Sequence, residues 1–352
     1  PDSPVVARRG RRAVSASVRS ISLVAVLAAI LAGCGGGEGE GPEIEFTIPT
    51  GASFAEVTDT LVARDLVGMR LPFTLRARFS GADREIRSGR YLVREGIGPA
   101  PLLEHLTAGR VETVALTIPE GFTLRQIAPR LAEFTGTDPD SVLAVLTADS
   151  AHVEWGVPGP GLEGYLLPET YRFADGTSLE VVIGELVGAY QAFWTPRRRR
   201  VLRARGWEEH EIVTLASIVE AEATFTDEMP TIASVYRNRV DDSWPLQADP
   251  TVLYALGGTR ERLLFSMIDS VADSPYNTYT QPGLPPGPIG SPGEAALAAA
   301  LEPADTDFYY FVADARGRHV FSRTLAEHNA AAAQYRRRMF DETGADEAPP
   351  PR

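Results

Sequence analysis

The chain has 352 residues, 44% of them apolar, and a formal net charge of -13. This length is enough for two domains with separate cores, and the apolar fraction is typical of a globular protein and excludes a disordered one. So acidic a chain argues against nucleic acid as the main partner, because binding a phosphate backbone needs clustered positive charge.

The first 33 residues are typical of an export signal. Five arginines precede a short apolar stretch, Ile21 to Leu31, and the tetrapeptide Leu31-Ala32-Gly33-Cys34 resembles the lipobox of bacterial lipoproteins. The chain has one cysteine, so an internal disulfide is excluded. We predict a lipoprotein-type signal peptide over residues 1–33 and a lipid anchor at Cys34, which places the body outside the cytoplasm at a membrane. An uncleaved signal anchor is the alternative.

Residues 34–42 are rich in Gly, Glu and Pro and are predicted to be a linker, followed by a small α+β module over residues 43–112. Ser53 and Glu56 form a capping box that opens a helix, and Thr123 with Gln126 repeats the pattern further on. Strand, helix, helix and strand with extended turns resemble a LysM-type glycan-binding module, a pattern that many small α+β modules share. The predicted elements are the strands Glu43–Ile48 and Gly89–Val93 and the helices Leu71–Arg78 and Ala100–Leu106.

A helix is predicted to begin near Glu208, with the segment L-A-S-I-V-E-A-E-A, Leu215 to Ala223, near its middle. Its apolar residues cover most of a helical wheel, as in a core helix. A carboxylate in such surroundings costs several kcal/mol unless it is paired or used, so at least one of Glu220 and Glu222 is predicted to do chemistry. The alternative is that both are solvated or capped at the helix end.

Glu220 and Glu222 do not form a pair, because residues two positions apart on a helix point about 160° away from each other. A retaining glycosidase holds its two carboxyl groups roughly 5 Å apart across one bond. One glutamate therefore acts alone or with distant partners. A single acid whose pKa is raised by an apolar environment can protonate a glycosidic oxygen and later take a proton back.

Three further segments carry the polar and aromatic side chains that an elongated glycan site needs. They are Leu162–Tyr171, Pro245–Val252 and the proline-rich run from Ser274 to Ile289. A turn held by local hydrogen bonds is an equal interpretation of the first segment. The predicted substrate-binding residues are Glu163, Tyr165, Glu169, Asn238, Gln247, Asp249, Tyr276, Asn277 and Tyr279.

Two helix starts are predicted from the same part of the chain. Asp249 before Pro250 is typical of an N-cap followed by the first helical residue, which competes with a binding role for Asp249. Ser291 with Glu294 has the spacing of a capping box for a helix that ends at Leu301.

Metal and nucleotide chemistry are not expected. The five histidines are scattered without metal-ligand spacing, and the sequence contains no G-x-S-x-G, Walker or dinucleotide motif. We therefore predict no metal and no cofactor.

The order of several motifs along the chain resembles that of a known protein family. I-P-E-G-F-T, L-E-G-Y-L-L-P-E-T-Y, A-S-I-V-E-A-E-A, P-L-Q-A-D-P-T-V, S-P-Y-N-T-Y, G-L-P-P-G-P-I, Y-Y-F-V-A-D and E-H-N follow one another in the order seen in the MltG (YceG-like) family of endolytic murein transglycosylases. The resemblance runs from about Glu43 to Arg338. It implies an α+β protein with a small LysM-like module, a larger mixed α/β catalytic domain over residues 113–340 and a disordered tail over residues 341–352.

The resemblance also implies a reaction. The first glutamate of S-I-V-E is catalytic in the family and falls on Glu220, with Ser217 and Glu222 as supporting neighbours. Glu220 would cleave the bond between N-acetylmuramic acid and N-acetylglucosamine inside peptidoglycan strands, and the muramic C6 hydroxyl would close a 1,6-anhydro ring. The enzyme would act as a terminator of glycan elongation in the cell envelope, with peptidoglycan synthases (penicillin-binding proteins) as candidate partners.

Two departures from the family pattern stand out. Family members carry an N-terminal transmembrane helix where this chain has a lipobox, which leaves open whether the inner or the outer membrane holds the anchor. Ala221 replaces the lysine often found between the two glutamates. The remaining alternatives are a non-catalytic peptidoglycan-binding lipoprotein and a muramidase that uses water as the nucleophile.

Overall fold

The computed structural model describes residues 37–49, 51–109, 113–258, 263–314 and 316–343, which form two compact units. The first unit comprises the described residues up to Val114 together with Arg172–Gly176, and the second comprises Ala115–Tyr171 and the described residues from Thr177 onward. The mixed helix and sheet content confirms the α+β class. The predicted signal peptide and Cys34 lie outside the described residues.

The first unit is built on an antiparallel pair, β1 (Glu43–Ile48) and β2 (Gly89–Arg94), in which Glu43 lies opposite Arg94. The Phe46 and Tyr91 rings stack on its inner face at 5.6 Å between centroids. Because alternate residues of a strand face the same side, the pattern of both strands buries one face against the helices. These helices are α1 (Phe54–Ala63), α2 (Arg70–Ser80), a 3₁₀ turn (Ala82–Arg84) and α3 (Pro99–Ala108).

Two predictions for this unit can be compared with the structure. The capping box of Ser53 and Glu56 is present at the start of α1. The last residues of the predicted linker are hydrogen-bonded to the unit, since the Gly41 N–H donates to the Glu95 carbonyl and the Glu95 N–H donates to the Pro42 carbonyl.

Strands β3 (Thr113–Thr117) and β4 (Thr170–Ala174) pair next in the chain, and the second unit contains Ala115–Thr117 of β3 and Thr170–Tyr171 of β4. The capping box of Thr123 and Gln126 is present just after β3. Asp138 caps the following helix through its side chain. The helices of this part are α4 (Leu124–Thr135), α5 (Pro139–Thr147), α6 (Ala151–Trp155), α7 (Leu179–Phe193) and α8 (Pro196–Arg205).

Helix α9 (Glu209–Glu222) is the central core helix that the sequence predicts. Every residue from Ile212 to Val219 is buried, and each large aliphatic side chain contributes about 1.5–3 kcal/mol on full burial. Helix α9 packs against three helices of the second unit. These are α10 (Met229–Asp241), α11 (Asp249–Ala255) and the alanine-rich α13 (Glu294–Leu301), with α12 (Phe265–Ser270) between the last two in the chain.

The C-terminal part of the chain is a hairpin and a helix. Strands β5 (Tyr310–Ala313) and β6 (His319–Ser322) pair antiparallel, and α14 (Leu325–Thr343) follows a capping box of Thr324 and Glu327. The first three residues of the predicted disordered tail therefore continue the helix, and the rest of that tail lies outside the described residues. Among the described residues, no helix combines the length and apolarity needed to cross a membrane.

Two predicted helix caps are wrong. Ala248, not Asp249, is the N-cap of α11, because the Asp249 carboxylate accepts a hydrogen bond from the Tyr279 hydroxyl at 2.5 Å. Gly293, not Ser291, is the N-cap of α13. The backbone of Ser291 is instead bonded to the Gly121–Phe122 turn, and its buried hydroxyl has no hydrogen-bond partner among the described residues.

Candidate active site

Glu220 lies in the last turn of α9, where the helix leaves the core and its side chain is half-buried. Its Oε2 accepts a hydrogen bond from the backbone N–H of Gly293 at 3.0 Å. Since Gly293 is the N-cap of α13, the carboxyl group faces the positive end of that helix. The end of one core helix therefore meets the beginning of another at this carboxyl group.

The pKa of Glu220 is raised above its ordinary value. Burial is the main cause, because it penalises the charged form, and the negative charge of Glu120 acts in the same direction. The Gly293 N–H opposes both by stabilising the carboxylate. Glu220 therefore keeps its proton to a higher pH than an exposed glutamate, as a general acid requires.

The turn of the I-P-E-G-F-T motif forms one wall of this site. The Gly121 N–H donates to the Ser291 carbonyl and the Ser291 N–H donates to the Phe122 carbonyl, both at 2.8 Å. Gly121 has a φ of +73° and lies so close to the acid that a Cβ on it would be 3.8 Å from Glu220 Cγ. At Gly290 a Cβ would come within 2.5 Å of the Gly121 carbonyl oxygen, so glycine is required for this close approach.

Ser217 connects α9 to the proline-rich loop. Its buried hydroxyl donates to the Thr214 carbonyl at 2.8 Å and accepts from the Ile289 N–H at 3.0 Å. Ser217 precedes Glu220 by less than one helical turn, so this contact fixes the loop beside the acid.

Glu222 has different partners from Glu220. Its Oε1 accepts a hydrogen bond from the hydroxyl of the buried Tyr236 at 3.0 Å. The negative charge of Glu222 adds to burial in raising the pKa of Tyr236. The two carboxyl groups of the S-I-V-E-A-E segment thus face separate environments, as the wheel geometry predicts.

Glu163 is a second buried carboxyl group near the same wall. It accepts hydrogen bonds from the Leu124 N–H, at 3.1 and 3.3 Å to its two oxygens, and from the Tyr254 hydroxyl at 3.2 Å. Burial raises the pKa of Glu163 to about 7, against the effect of these hydrogen bonds and of Arg125. Leu124 is the first residue of α4, just after the wall turn, and the Tyr254 ring packs on Tyr276 at 5.0 Å.

Tyr165 lies in the same L-E-G-Y segment as Glu163 but is connected through His210 to the proline-rich loop. Its hydroxyl is 2.5 Å from His210 Nδ1, and His210 Nε2 is 2.8 Å from the Pro286 carbonyl oxygen. A carbonyl oxygen only accepts, so the neutral imidazole carries its proton on Nε2 and accepts from Tyr165 on Nδ1. Tyr165 is fully buried, whereas Glu169 is exposed at the start of β4.

The remaining predicted binding residues lie on α10, α11 and the loop after α12. Asn277 is fully buried: its Nδ2 donates to the Ile268 and Val271 carbonyls, and its Oδ1 accepts from the Tyr279 N–H. The Asn238 Nδ2 likewise donates to two carbonyls ahead of β5. These two amides hold loops in place.

Gln247 differs from those two amides. It is exposed between the buried residues Leu246 and Ala248 and has a φ of +51°, in the left-handed region that costs a non-glycine residue energy. Its N–H donates to the Thr278 carbonyl at 3.0 Å. A strained backbone that presents a polar side chain to solvent is typical of a ligand-contacting position.

Sequence reasoning missed several residues that define the site. Glu120 is part of a motif but is not a predicted site residue, and neither is His210 or Tyr254. Gly293 is predicted to lie inside the capping box of Ser291 and Glu294 and not to contact Glu220. The motifs do contain Gly121 and Gly293, and a glycine in a turn indicates a close approach of the backbone to another group. The sequence does not indicate which group that is.

The described residues contain no group of three or more His, Cys, Asp or Glu side chains that could hold a metal ion. Two cavities lie elsewhere. One of about 260 Å³ is in the first unit, lined in part by Pro49, Phe54 and Arg84. The other, of about 340 Å³, is lined in part by Arg237 and Asn238 in the second. Glu220 lines neither of these two cavities.

The fold and site together define a class: an α+β protein in which one half-buried glutamic acid with a raised pKa stands at the junction of two core helices. The chain belongs to the YceG-like family, whose model matches residues 46–334.

Three relatives show the extent of this similarity. The endolytic murein transglycosylase of Bacillus subtilis (strain 168) is 34% identical over 309 residues, covering 83% of this chain and 84% of the relative. That of Streptococcus pneumoniae serotype 2 is 29% identical over 318 residues, and the matched region spans 57% of its length. A crystal structure of a yceG-like protein from Listeria monocytogenes shares 32% identity with a TM-score of 0.57, covering 82% of this chain and 98% of that one.

Proposed function

We propose that this chain is an endolytic murein transglycosylase in which Glu220 is both the general acid and the general base. Family membership and the names of the relatives support the enzyme class. The observation that carries the assignment of Glu220 is its position: a half-buried carboxyl group with a raised pKa, at the end of the apolar helix α9 and bonded to the Gly293 amide.

The reaction needs only one acid. Protonated Glu220 donates its proton to the oxygen between N-acetylmuramic acid and N-acetylglucosamine, and the C1–O bond breaks. N-acetylglucosamine leaves with a free 4-hydroxyl group. The muramic C6 hydroxyl then attacks C1 and gives its proton to the Glu220 carboxylate, which restores the acid and leaves a 1,6-anhydro end. No water is consumed, so a second carboxylate to activate water or act as nucleophile is not needed.

The predicted binding residues divide into two groups. Gln247, Glu169, Tyr276 and Tyr279 are exposed or partly exposed, and we assign them to direct contact with the glycan. Tyr165, Asn238, Asn277 and Ser217 act through the loops that they hold, as their hydrogen bonds indicate. Glu163 and Asp249 orient tyrosines, and Glu222 orients Tyr236.

The first unit is proposed to bind glycan as a LysM-like module. The cavity of about 260 Å³ at the start of α1 supports this role, because an aromatic ring (Phe54), a proline and the charged pair Asp83 and Arg84 border it. Sugars bind where apolar faces and polar groups alternate in this way.

The location follows from the substrate and the N-terminal sequence. A murein-cleaving enzyme acts in the cell envelope outside the cytoplasm. We propose that a lipid on Cys34 tethers it to a membrane and that a peptidoglycan synthase, which makes the strands it would terminate, is its partner.

Digestion of purified sacculi tests the function. The wild-type protein should release fragments with anhydro-muramic ends, identified by mass spectrometry, and the Glu220→Gln variant should release none. Glu294→Gln, an exposed glutamate beside the site, is the matched control and should remain active. Reducing muramic ends would instead indicate a muramidase, and anhydro products from the Glu220→Gln variant would exclude Glu220 as the catalytic residue.

A further inference from the structure

We propose that Glu120 is a positioning residue for Glu220: its carboxyl group lies against Gly293, the residue whose N–H binds the Glu220 carboxyl group, and so places a charged group beside the acid. This inference rests on the proposed function of Glu220. It assigns a role to the one charged residue of the I-P-E-G-F-T turn.

The backbone holds Glu120 at a fixed place. Glu120 precedes Gly121, and the paired hydrogen bonds of Gly121 and Phe122 with Ser291 clamp the turn to the residues before α13. Glu120 itself is exposed, so water solvates its charge on one side.

Gly293 is the point at which the two carboxyl groups meet. Its N–H is bonded to Glu220 Oε2 at 3.0 Å, and a methyl group built on its Cα would lie 2.8 Å from Glu120 Cδ and 3.1 Å from Cγ. Its backbone has φ -73° and ψ 170°, which any residue can adopt. A side chain at this position would therefore displace the carboxyl group of Glu120, which is the end of an exposed, flexible side chain.

Glu120 is the only charged side chain among the described residues that shifts the pKa of Glu220. Other charged groups on the packed elements have their own surroundings. Glu222 faces Tyr236 on α10, Arg239 donates to the Tyr309 and Leu246 carbonyls, Asp249 of α11 accepts from Tyr279, and Glu294 of α13 is exposed.

The two carboxyl groups therefore have different roles: Glu220 donates the proton, and Glu120 affects the pKa of Glu220. Two like charges at close range raise the pKa of one member, and the proton goes to the group that is less well solvated. Glu220 is half-buried, and its pKa is raised mainly by burial, with the negative charge of Glu120 acting in the same direction. Glu120 thus prepares the acid without donating a proton to the substrate.

A Glu120→Gln substitution tests this role, since it removes the charge and keeps the shape. Loss of a negative charge favours ionisation of Glu220, so its pKa should fall. Two readouts should report the same shift: the alkaline limb of the kcat/KM profile should move to lower pH, and the carboxyl ¹³C resonance of Glu220 should titrate at lower pH. Comparison with the Glu220→Gln spectrum assigns that resonance. The activity loss should stay below the roughly 10²- to 10⁴-fold that a general acid contributes.

Gly293→Ala offers a second, independent perturbation. The added methyl group displaces the Glu120 carboxyl group while the Gly293 N–H remains in place, so the pKa of Glu220 should again fall. In a Glu120→Ala background nothing is left to displace, and the same substitution should produce no further shift. Gly188→Ala is the control, because a methyl group there meets nothing within 4 Å and should leave the Glu220 titration unchanged.

The outcomes separate this inference from the proposed function. An unchanged Glu220 titration in folded Glu120→Gln would overturn the role of Glu120, while an inactive Glu220→Gln variant would leave Glu220 as the acid. If Glu220→Gln stayed active, the proposed catalytic role would fail, and the NMR titration would still decide whether the two carboxyl groups interact.

Discussion

Glu220 and Glu163 make an instructive comparison. Both belong to the second unit, both have a raised pKa, and each carboxyl group accepts a hydrogen bond from an N–H at the start of another helix. Glu163 faces the first N–H of α4 and Glu220 faces the N-cap N–H of α13. Glu163 also accepts from the Tyr254 hydroxyl, so its oxygens are held from two sides. In the proposed mechanism a raised pKa is therefore not sufficient, because the acid also needs an oxygen that can reach the glycosidic bond.

The largest expected effect separates these two residues by activity. Glu220→Gln should lower the rate of glycan cleavage by at least roughly 10²- to 10⁴-fold, because no proton donor remains. Its melting temperature should change little, since glutamine still accepts from Gly293. Rates on purified sacculi and thermal unfolding measure the two quantities. A Glu163→Gln variant as inactive as Glu220→Gln would remove the distinction.

The next effect concerns how the free energy of unfolding depends on pH through Glu163. The pKa of Glu163 is raised to about 7, so the folded state binds its proton more tightly than the unfolded chain, and stability falls as pH rises from about 4.5 through 7. Glu163→Gln cannot ionise and should lose about 1–3 kcal/mol of this pH dependence. Denaturant unfolding at pH 5 and pH 8 measures it. An equal pH dependence in the wild type and the variant would contradict the prediction.

A smaller effect is expected for Ser217→Ala. The Ile289 N–H would be buried without its acceptor, which costs about 1–3 kcal/mol. Because the loop beside Glu220 loosens, kcat should fall with the stability. The control is Thr147→Ala, whose exposed hydroxyl bonds within its own helix and whose loss should cost less than about 0.5 kcal/mol.

The smallest effect is expected for Tyr165→Phe. Removal of the hydroxyl leaves His210 Nδ1 without its donor and should cost about 1 kcal/mol. His210 still holds the Pro286 carbonyl, so kcat should stay near the wild-type value. A loss of activity as large as that of Ser217→Ala would contradict this prediction and show that the Tyr165 hydroxyl is needed to hold His210 and its loop in place.

Local signals in the sequence predicted the structure well. The capping boxes of Ser53 and Thr123 and the start of α9 are correct, because a box joins residues three apart and a core helix carries its apolar pattern along its length. The predicted extent of α9 is wrong, since the helix ends at Glu222 and the segment Leu215–Ala223 lies at its end, not near its middle. The caps at Asp249 and Ser291 are wrong because distant groups act on them. Tyr279 takes the Asp249 carboxylate, and Glu220 takes the Gly293 amide where Ser291 was expected to cap.

The candidate site shows the same limit. The sequence indicated Glu220 because a carboxylate interrupts an apolar helix, and Gln247 because it lacks an obvious capping role. It gave no role to Glu120, since a turn ahead of α4 has no sequence relation to a helix end that follows much later. Only the folded backbone brings these segments to the same glycine.

The reciprocal hydrogen bonds between the Gly121–Phe122 turn and Ser291 have a consequence for how the enzyme comes into being. They close a chain segment of about 170 residues, and contacts of such long range form late because closing long loops is entropically costly. A chain that stops before Ser291 has the helix of Glu220 but neither the amide nor the turn that faces it. The candidate site is thus assembled only when the chain has folded as far as α13.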